Sequence, residues 1–291
     1  MERSSKSHSF GGDWTEEKLL KVQKYLQEYT KALKNQPFIT YYIDAFAGTG
    51  YRTVKKSAHK DDLLFPELGE DDTQRFLDGS AKKALKIIIP FSHYIFIEKS
   101  KSKAKELEAL KDEHPERDIQ IVIEDANLYL EKWCTAMGSY DRAVLFLDPF
   151  GMEVKWETIS HIAQTKKIDM WYLFPAGGVM RHLRRDGKID EKGLNNLNTI
   201  FGDNNWFNHF YDNIRQLGLF GNEDYIVKTA DCEALKQFLL KKLKSIFSGV
   251  AENPLILCNS NNTPLYILCF AAGNEKGAKV ALKIANYILK R

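Results

Sequence analysis

Five short apolar runs, FITYYIDAF, SHYIFIEK, IQIVIEDA, RAVLFLDPF and IDMWYLFPA, recur between residues 38 and 176. They are rich in β-branched and aromatic residues, and their apolar positions are consecutive rather than alternating. Such runs fit strands buried on both faces, which demands a sheet covered by helices above and below. The stretches between them, 80 to 89, 100 to 113, 127 to 137 and 155 to 165, have helical character and suit right-handed crossovers. Toward the C-terminus LILCNS and PLYILCFAAG flank Asn261-Asn262-Thr263, a hairpin signal that adds an antiparallel pair. The expected fold is a doubly wound, mostly parallel α/β sheet of seven strands. Leu19, Val22, Leu26, Tyr29 and Leu33 mark an N-terminal helix over 13 to 35, and Val280, Ile284 and Ile288 mark a closing one.

At 291 residues, 44% apolar and 12% aromatic, the chain can bury the core of a single domain. Its net charge of +3 permits a polyanionic partner without requiring one. The start, MERSSKSHSFGGDW, has no apolar leader region, and no stretch approaches the roughly 18 apolar residues that cross a bilayer. A soluble cytoplasmic protein is expected, with no membrane partner. Cys134, Cys232, Cys258 and Cys269 lack metal-ligand spacing, and His161 and His209 lack ligand-like partners, so no metal is assigned and the thiols read as reduced and buried.

Two segments interrupt the βα rhythm. Residues 52 to 78 mix lysines with an excess of acids and read as a lid-like loop insertion. Residues 176 to 224, rich in Asn, Gly and aromatics, read as a helical insertion with a possible part in target recognition.

In open α/β sheets ligands bind beyond the carboxyl ends of the strands. The first run ends Asp44-Ala45-Phe46-Ala47-Gly48-Thr49-Gly50, where glycines allow a sharp turn and close approach to a ligand. A nicotinamide fingerprint needs another small residue where Thr53 stands, and the glycine that a phosphate loop needs before its lysine is absent, with Lys55 in that place ahead of Lys56-Ser57. The turn therefore suits a ligand without a pyrophosphate. Glu98 ends the second run and could accept both hydroxyls of a ribose, while Asp125-Ala126 ends the third, where a carboxylate could take an adenine amino hydrogen. A helix cap or solvated strand end would use the same acids. On successive strands they suit an adenosine.

The fourth run ends Asp148-Pro149-Phe150-Gly151. A purine amine is a weak nucleophile because its lone pair is delocalised into the ring. The Asp148 carboxylate and the Pro149 carbonyl can each accept one N–H, aiming that lone pair, and Phe150 can stack on the base. An ordinary turn also favours Asp, Pro and Gly. Phe174 and Pro175, which end the fifth run, are candidates for the target pocket, and Arg181, Arg184 and Arg185, with His182, form the densest basic cluster, suited to phosphates. Lys82, Lys83, Lys241, Lys242 and Lys244 read as exposed helix positions.

This succession resembles the class I S-adenosylmethionine-dependent methyltransferases over roughly residues 38 to 272. The resemblance implies that Asp44 and the Phe46 to Gly50 turn, with Ala47 and Gly48, hold the methionine end, Glu98 the ribose, and Asp125 with Ala126 the adenine. WTEEKLLKV, YIDAFAGTGYR, DGSAKKAL, FLDPFGM, WYLFPAGGVMR and AAGNEKGAKVALKIANYIL look like the three-Cys-motif partner proteins of bacteria and their mobile elements, across nearly the whole chain. That likeness implies a possible partner, a three-Cys-motif protein encoded nearby, but no substrate. Asp-Pro-Phe-Gly is similar to the motif of some guanine N2-methyltransferases, with Phe150 where amino-methylating enzymes commonly carry a second proline. The expected activity is methylation of an exocyclic amine of a nucleic-acid base, adenine N6 or guanine N2. A cofactor-binding partner without catalysis and a methyltransferase of small-molecule or protein amines stand as alternatives.

Overall fold

The computed structural model describes residues 13–47, 79–218, 221–259 and 261–290. Gly48, Gly50 and the lid-like segment 52 to 78 lie outside the described residues. Ten helices and ten strands are formed among those described.

Five parallel strands carry the fold: β1 (Ile39–Asp44), β2 (His93–Ile97), β3 (Ile119–Val122), β4 (Asp141–Leu147) and β5 (Ile168–Phe174). Their order is β3-β2-β1-β4-β5, so the chain reverses direction of travel between β1 and β4. β10 (Pro264–Ala272) then pairs antiparallel with β5, and β8 (Gly249–Val250) and β9 (Leu255–Cys258) pair antiparallel with β10. The main sheet has eight strands because two short strands, interrupted around Pro254, share its outer edge. In the β9–β10 turn Asn262 takes a left-handed φ of 58°, which asparagine tolerates, and its N–H donates to the Asn259 carbonyl.

All seven residues of β5 are buried, as its unbroken apolar sequence requires. On one face lie α1 (Asp13–Leu33), α2 (Ser80–Leu85), α3 (Lys101–Asp112) and α10 (Ala278–Leu289); on the other lie α4 (Ala126–Ala136) and α5 (Trp156–Gln164), joined by α6 (Ala176–His182), α7 (Glu191–Phe201), α8 (Trp206–Phe210) and α9 (Cys232–Lys244). α1 is fastened to the sheet by Tyr25, whose hydroxyl donates to Asp169 on β5 at 2.6 Å. Burial lifts the Asp169 carboxyl to about 6, against the pull of the Tyr25 hydroxyl and the Gly273 N–H. Tyr25 also packs on Trp171 and Phe270 with ring centroids 5.5 and 4.7 Å away.

Two local readings need revision. Within 176 to 224 the helices stop at Phe210, and β6 (Tyr211–Gly218) and β7 (Gly221–Lys228) follow as an antiparallel hairpin outside the main sheet. The expected stripe on α10 holds for Ile288, which is buried, and Ile284, which packs against the core, but not for Val280, which is 56% exposed; Ala278, Ala281, Ala285 and Leu289 complete the core face.

Candidate active site

β1 and β4 are neighbours in register, with Asp44 opposite Phe146, so their carboxyl ends lie side by side. The turn beyond β1 hangs between two strands: the Ala45 N–H donates to Phe146 on β4 and the Ala47 N–H to Ile97 on β2. Ala47 is buried, and Phe46 is half-buried against the core. Asp44 is fully buried. The Ser80 hydroxyl at the start of α2 donates to its Oδ2, and the Phe46 N–H to its Oδ1 at 3.3 Å. Desolvation lifts the Asp44 carboxyl to about 7; the Ser80 hydrogen bond opposes that rise, the Asp148 charge adds to it, and the Phe46 N–H and Lys18 oppose it.

Asp148 follows β4 directly, and its Oδ2 receives the Lys18 ammonium at 2.5 Å. Lys18 comes from the first turns of α1 and is only 4% exposed. Asp44, Asp148 and Lys18 thus form one charge cluster, joining residues separated by up to 130 positions. Pro149 is buried behind Asp148, while the Phe150 ring is 44% exposed beside it.

The tips of β2 and β3 are arranged differently. Glu98 Oε1 accepts the Ser100 N–H at 2.7 Å. Asp125 caps α4: its Oδ1 accepts the Asn127 N–H at 3.0 Å, and the Lys99 ammonium lies 3.5 Å from its Oδ2. Partial burial pushes the Asp125 carboxyl up, but hydrogen bonds from Asn127 and Leu128 and the charge of Lys99 together leave it below the usual carboxylate range. Ala126 is buried as the first residue of α4.

Sequence reasoning missed two residues here. Lys18 was legible only as a cation one turn before Val22 on the apolar side of α1. Asn127 is buried and tied in four directions. Its amide donates to Asp125 and, at 3.0 Å, to the Glu153 carbonyl, while its Oδ1 accepts from the Lys155 N–H and the Thr158 hydroxyl. Asn127 therefore locks the start of α4 to the chain that follows Asp148-Pro149-Phe150, and links the two halves of the site.

Phe174 ends β5 and Pro175 follows it, and β5 runs parallel beside β4 with Tyr172 opposite Leu147. Phe174 is fully buried in the core, its ring 6.0 Å from that of Phe201, and Pro175 is the buried N-cap of α6. Arg181, Arg184 and Arg185 are exposed at the end of α6, where Arg184 pairs with Asp186 at 3.3 Å. The Arg184 carbonyl accepts the Tyr211 hydroxyl, so the cluster packs against the base of the β6–β7 hairpin. Lys82 and Lys83 are half-buried, and Lys242 is no exposed lysine: it pairs with Asp203 at 2.5 Å and lies 4.8 Å from the Trp156 ring. Cys134 and Cys269 are buried, Cys232 and Cys258 half-buried, and none is in a disulfide. Among the described residues no three His, Cys, Asp or Glu side chains are grouped to hold a metal, and no helix is long and apolar enough to cross a membrane.

Compared with known proteins, the chain matches no family model and no curated protein. Among solved structures it is similar to protein LPL1258 of Legionella pneumophila, at 14% identity and a TM-score of 0.48, covering 96% of this chain and 92% of that one. It is also similar to the N-terminal domain of EvdMO1, solved in the presence of SAH and D-fucose (10% identity, TM-score 0.38, 87% and 82% covered). A third neighbour is an S-adenosylmethionine-dependent methyltransferase from Clostridium acetobutylicum (10% identity, TM-score 0.35, 88% and 92% covered).

Proposed function

We propose that the chain is an S-adenosylmethionine-dependent N-methyltransferase acting on an exocyclic amine of a nucleic-acid base, adenine N6 or guanine N2. The observation that carries this reading is the meeting of Asp44 and Asp148 at the adjoining tips of β1 and β4, where the Asp148 charge acts on the buried Asp44 carboxyl.

The chemistry of the site fits such a cofactor. Two carboxyl groups share one lysine, so the cluster has room for a further positive charge, and a cation beside Asp44 would favour its ionised form against the burial that lifts it. Asp44 and the turn after it would hold the methionine end, Glu98 the ribose, and Asp125 with Ala126 the adenine. The bound cofactor supplies an electrophilic methyl group. Asp148 and the Pro149 carbonyl orient the acceptor amine by accepting its hydrogens, and the fixed φ of proline keeps that carbonyl in place. The Asp148 carboxylate also stabilises positive charge as it develops on the nitrogen. The exposed Phe150 ring offers a stacking surface worth about 1 to 3 kcal/mol per base. A base in a duplex would have to be extruded to reach Asp148, and a single-stranded one would not. Lys18 keeps Asp148 paired until the amine arrives and must withdraw when it does.

A second reading has one observation behind it: the group already resting on Asp148 is an alkyl ammonium, that of Lys18, so the same carboxylate could orient a protein amine. The three-Cys-motif protein implied by the resemblance is a proposed partner in either case.

Incubation with methyl-labelled S-adenosylmethionine and separate DNA, tRNA, rRNA and protein pools, followed by mass spectrometry of nucleosides and peptides, distinguishes these readings. Label is expected in a purine amine of one nucleic-acid pool, and Asp148→Ala should lose at least about a hundredfold in transfer, on the scale of one oriented contact, while still binding cofactor. Label confined to lysine would select the second reading. Equal transfer by the variant and wild type would remove Asp148 from the reaction.

A further inference from the structure

α10 presents a basic face that the proposed site does not use. From Lys276 to Lys290 the chain reads KGAKVALKIANYILK, without one acidic residue. Lys276, Lys279, Lys283 and Lys290 are all exposed, as are Val280 and Tyr287, the latter 80% so. Lys279, Lys283 and Tyr287 succeed one another at intervals of four and lie along one side of the helix over about 12 Å. None of the four lysines forms an ion pair with a described residue. The exposed Arg181 to Arg185 cluster differs, since Arg184 is already paired with Asp186.

The direction of α10 gives the stripe a destination. β10 runs antiparallel to β5, and α10 returns after it, so its C-terminal end lies toward the carboxyl tips of the parallel strands. The Lys21 ammonium of α1 confirms this by donating to the Ile288 carbonyl at 2.9 Å, one helical turn from Lys18 and hence from Asp148. A cation at that helix end also suits the helix dipole.

We propose that this face of α10 is a nucleic-acid docking surface, with its lysines contacting consecutive phosphates of a strand whose path leads toward Asp148. Tyr287 stands on the same line to stack on an unpaired base. The observations favour nucleic acid over a membrane, because an interfacial helix must offer a broad apolar face to lipid. The apolar face of α10 is buried against the sheet, leaving only Val280 and Tyr287 among the exposed lysines. This inference deepens the reading of a nucleic-acid substrate and rests on it for the class of partner, but binding is measured without cofactor, so either can fail alone.

The experiment is fluorescence anisotropy with a labelled duplex, a labelled single strand of the same length and tRNA, over a series of salt concentrations. Wild type should bind with an affinity that falls steeply with salt. The double variant Lys279→Glu/Lys283→Glu should bind at least tenfold more weakly, with a log–log salt slope for the duplex shallower by about 1.8, the value for two phosphate contacts. Lys279→Gln/Lys283→Gln should shift in the same direction by less, and keeps the test valid if the first variant folds poorly. Lys101→Glu/Lys105→Glu on α3 makes the same change in net charge and should leave affinity within twofold. The proposal is overturned if the α3 variant loses as much as the α10 variant, if the α10 slope is unchanged, or if wild type binds anionic lipid vesicles but none of the nucleic acids.

Discussion

Asp44 at the end of β1 is fully buried, with its carboxyl lifted to about 7, whereas Asp125, two strands away beyond β3, is partly open and held below the usual carboxylate range. Both are acids at strand tips, and sequence position alone gave them equal standing. Their difference lies in what satisfies them. Asp125 finds two hydrogen bonds in Asn127, both on Oδ1, and a lysine near Oδ2, so its charge is met before any ligand arrives and only Oδ2 has capacity for a further hydrogen bond. Asp44 has Ser80 and one backbone N–H, but burial and the charge of Asp148 outweigh them. A tip satisfied locally serves the helix it caps; a buried tip sharing one lysine with a second carboxylate favours a ligand that brings positive charge.

The strongest way to break this contrast is to titrate it. If a cofactor ammonium pairs with Asp44, binding requires the ionised carboxylate. Wild-type affinity measured by calorimetry should then rise with pH, up to about tenfold per unit, and level off above about 7. Asp44→Asn should bind on the order of 10- to 100-fold more weakly at the plateau, the worth of a charged hydrogen bond, and with no slope. The ligand-free protein should follow the opposite trend. A carboxyl raised in the folded state contributes most below its unfolded value near 4, and that stability is lost as pH rises through about 7. Asp169, raised to about 6, adds a slope of the same sign, so the share belonging to Asp44 is the part that Asp44→Asn removes. Wild-type affinity that is flat or falls with pH would detach the cofactor's charge from Asp44.

Lys18→Met should act through the same midpoint, and more gently. Lys18 is the smallest of the influences on Asp44, so removing it should move the pH at which affinity levels off upward by a fraction of a unit. Asp148 loses its counter-ion in the same variant, at a cost to thermal stability of about 1 to 3 kcal/mol, tempered because Asp148 is partly open to water. A downward shift of the midpoint would show that Lys18 does not act on the pair.

The parts of this molecule legible from sequence are those in which one residue's chemistry is decided by its neighbours in the chain. The five parallel strands announced themselves because burial on both faces leaves no room for polar positions, and the acids ending them stand out against such runs. The β6–β7 hairpin did not, because Ile214, Tyr225 and Val227, three of its apolar residues, are exposed. Lys18 and Asn127 were illegible for another reason. The Lys18–Asp148 pair spans 130 residues, and the four hydrogen bonds of Asn127 depend on α4 meeting the loop after β4. The meeting of Asp44 with Asp148 could be anticipated only through the rule that ligands bind beyond the carboxyl ends of the strands, and it is the strand order of the sheet that sets β1 beside β4.

The smallest effect belongs to Asp125, and its sign is the sharpest check on the contrast. Asp125→Ala removes the cap of α4, which typically costs about 1 kcal/mol, and leaves the buried Asn127 with one partner fewer. Because the Asp125 carboxyl is lowered in the folded state, its contribution is present above its unfolded value and lost as pH falls through the folded one. The stability difference between wild type and variant, read from urea unfolding, should therefore be full at neutral pH and shrink in acid, opposite to the trend for Asp44. On the proposed reading cofactor affinity should fall only severalfold, since one hydrogen bond to the adenine would be lost and the ribose and methionine contacts would remain. A variant as stable as wild type but as poor in cofactor binding as Asp44→Asn would reverse the assignment. It would mean that the carboxylate at the end of β3 is held for the ligand, and that the Asn127 N–H can be satisfied without it.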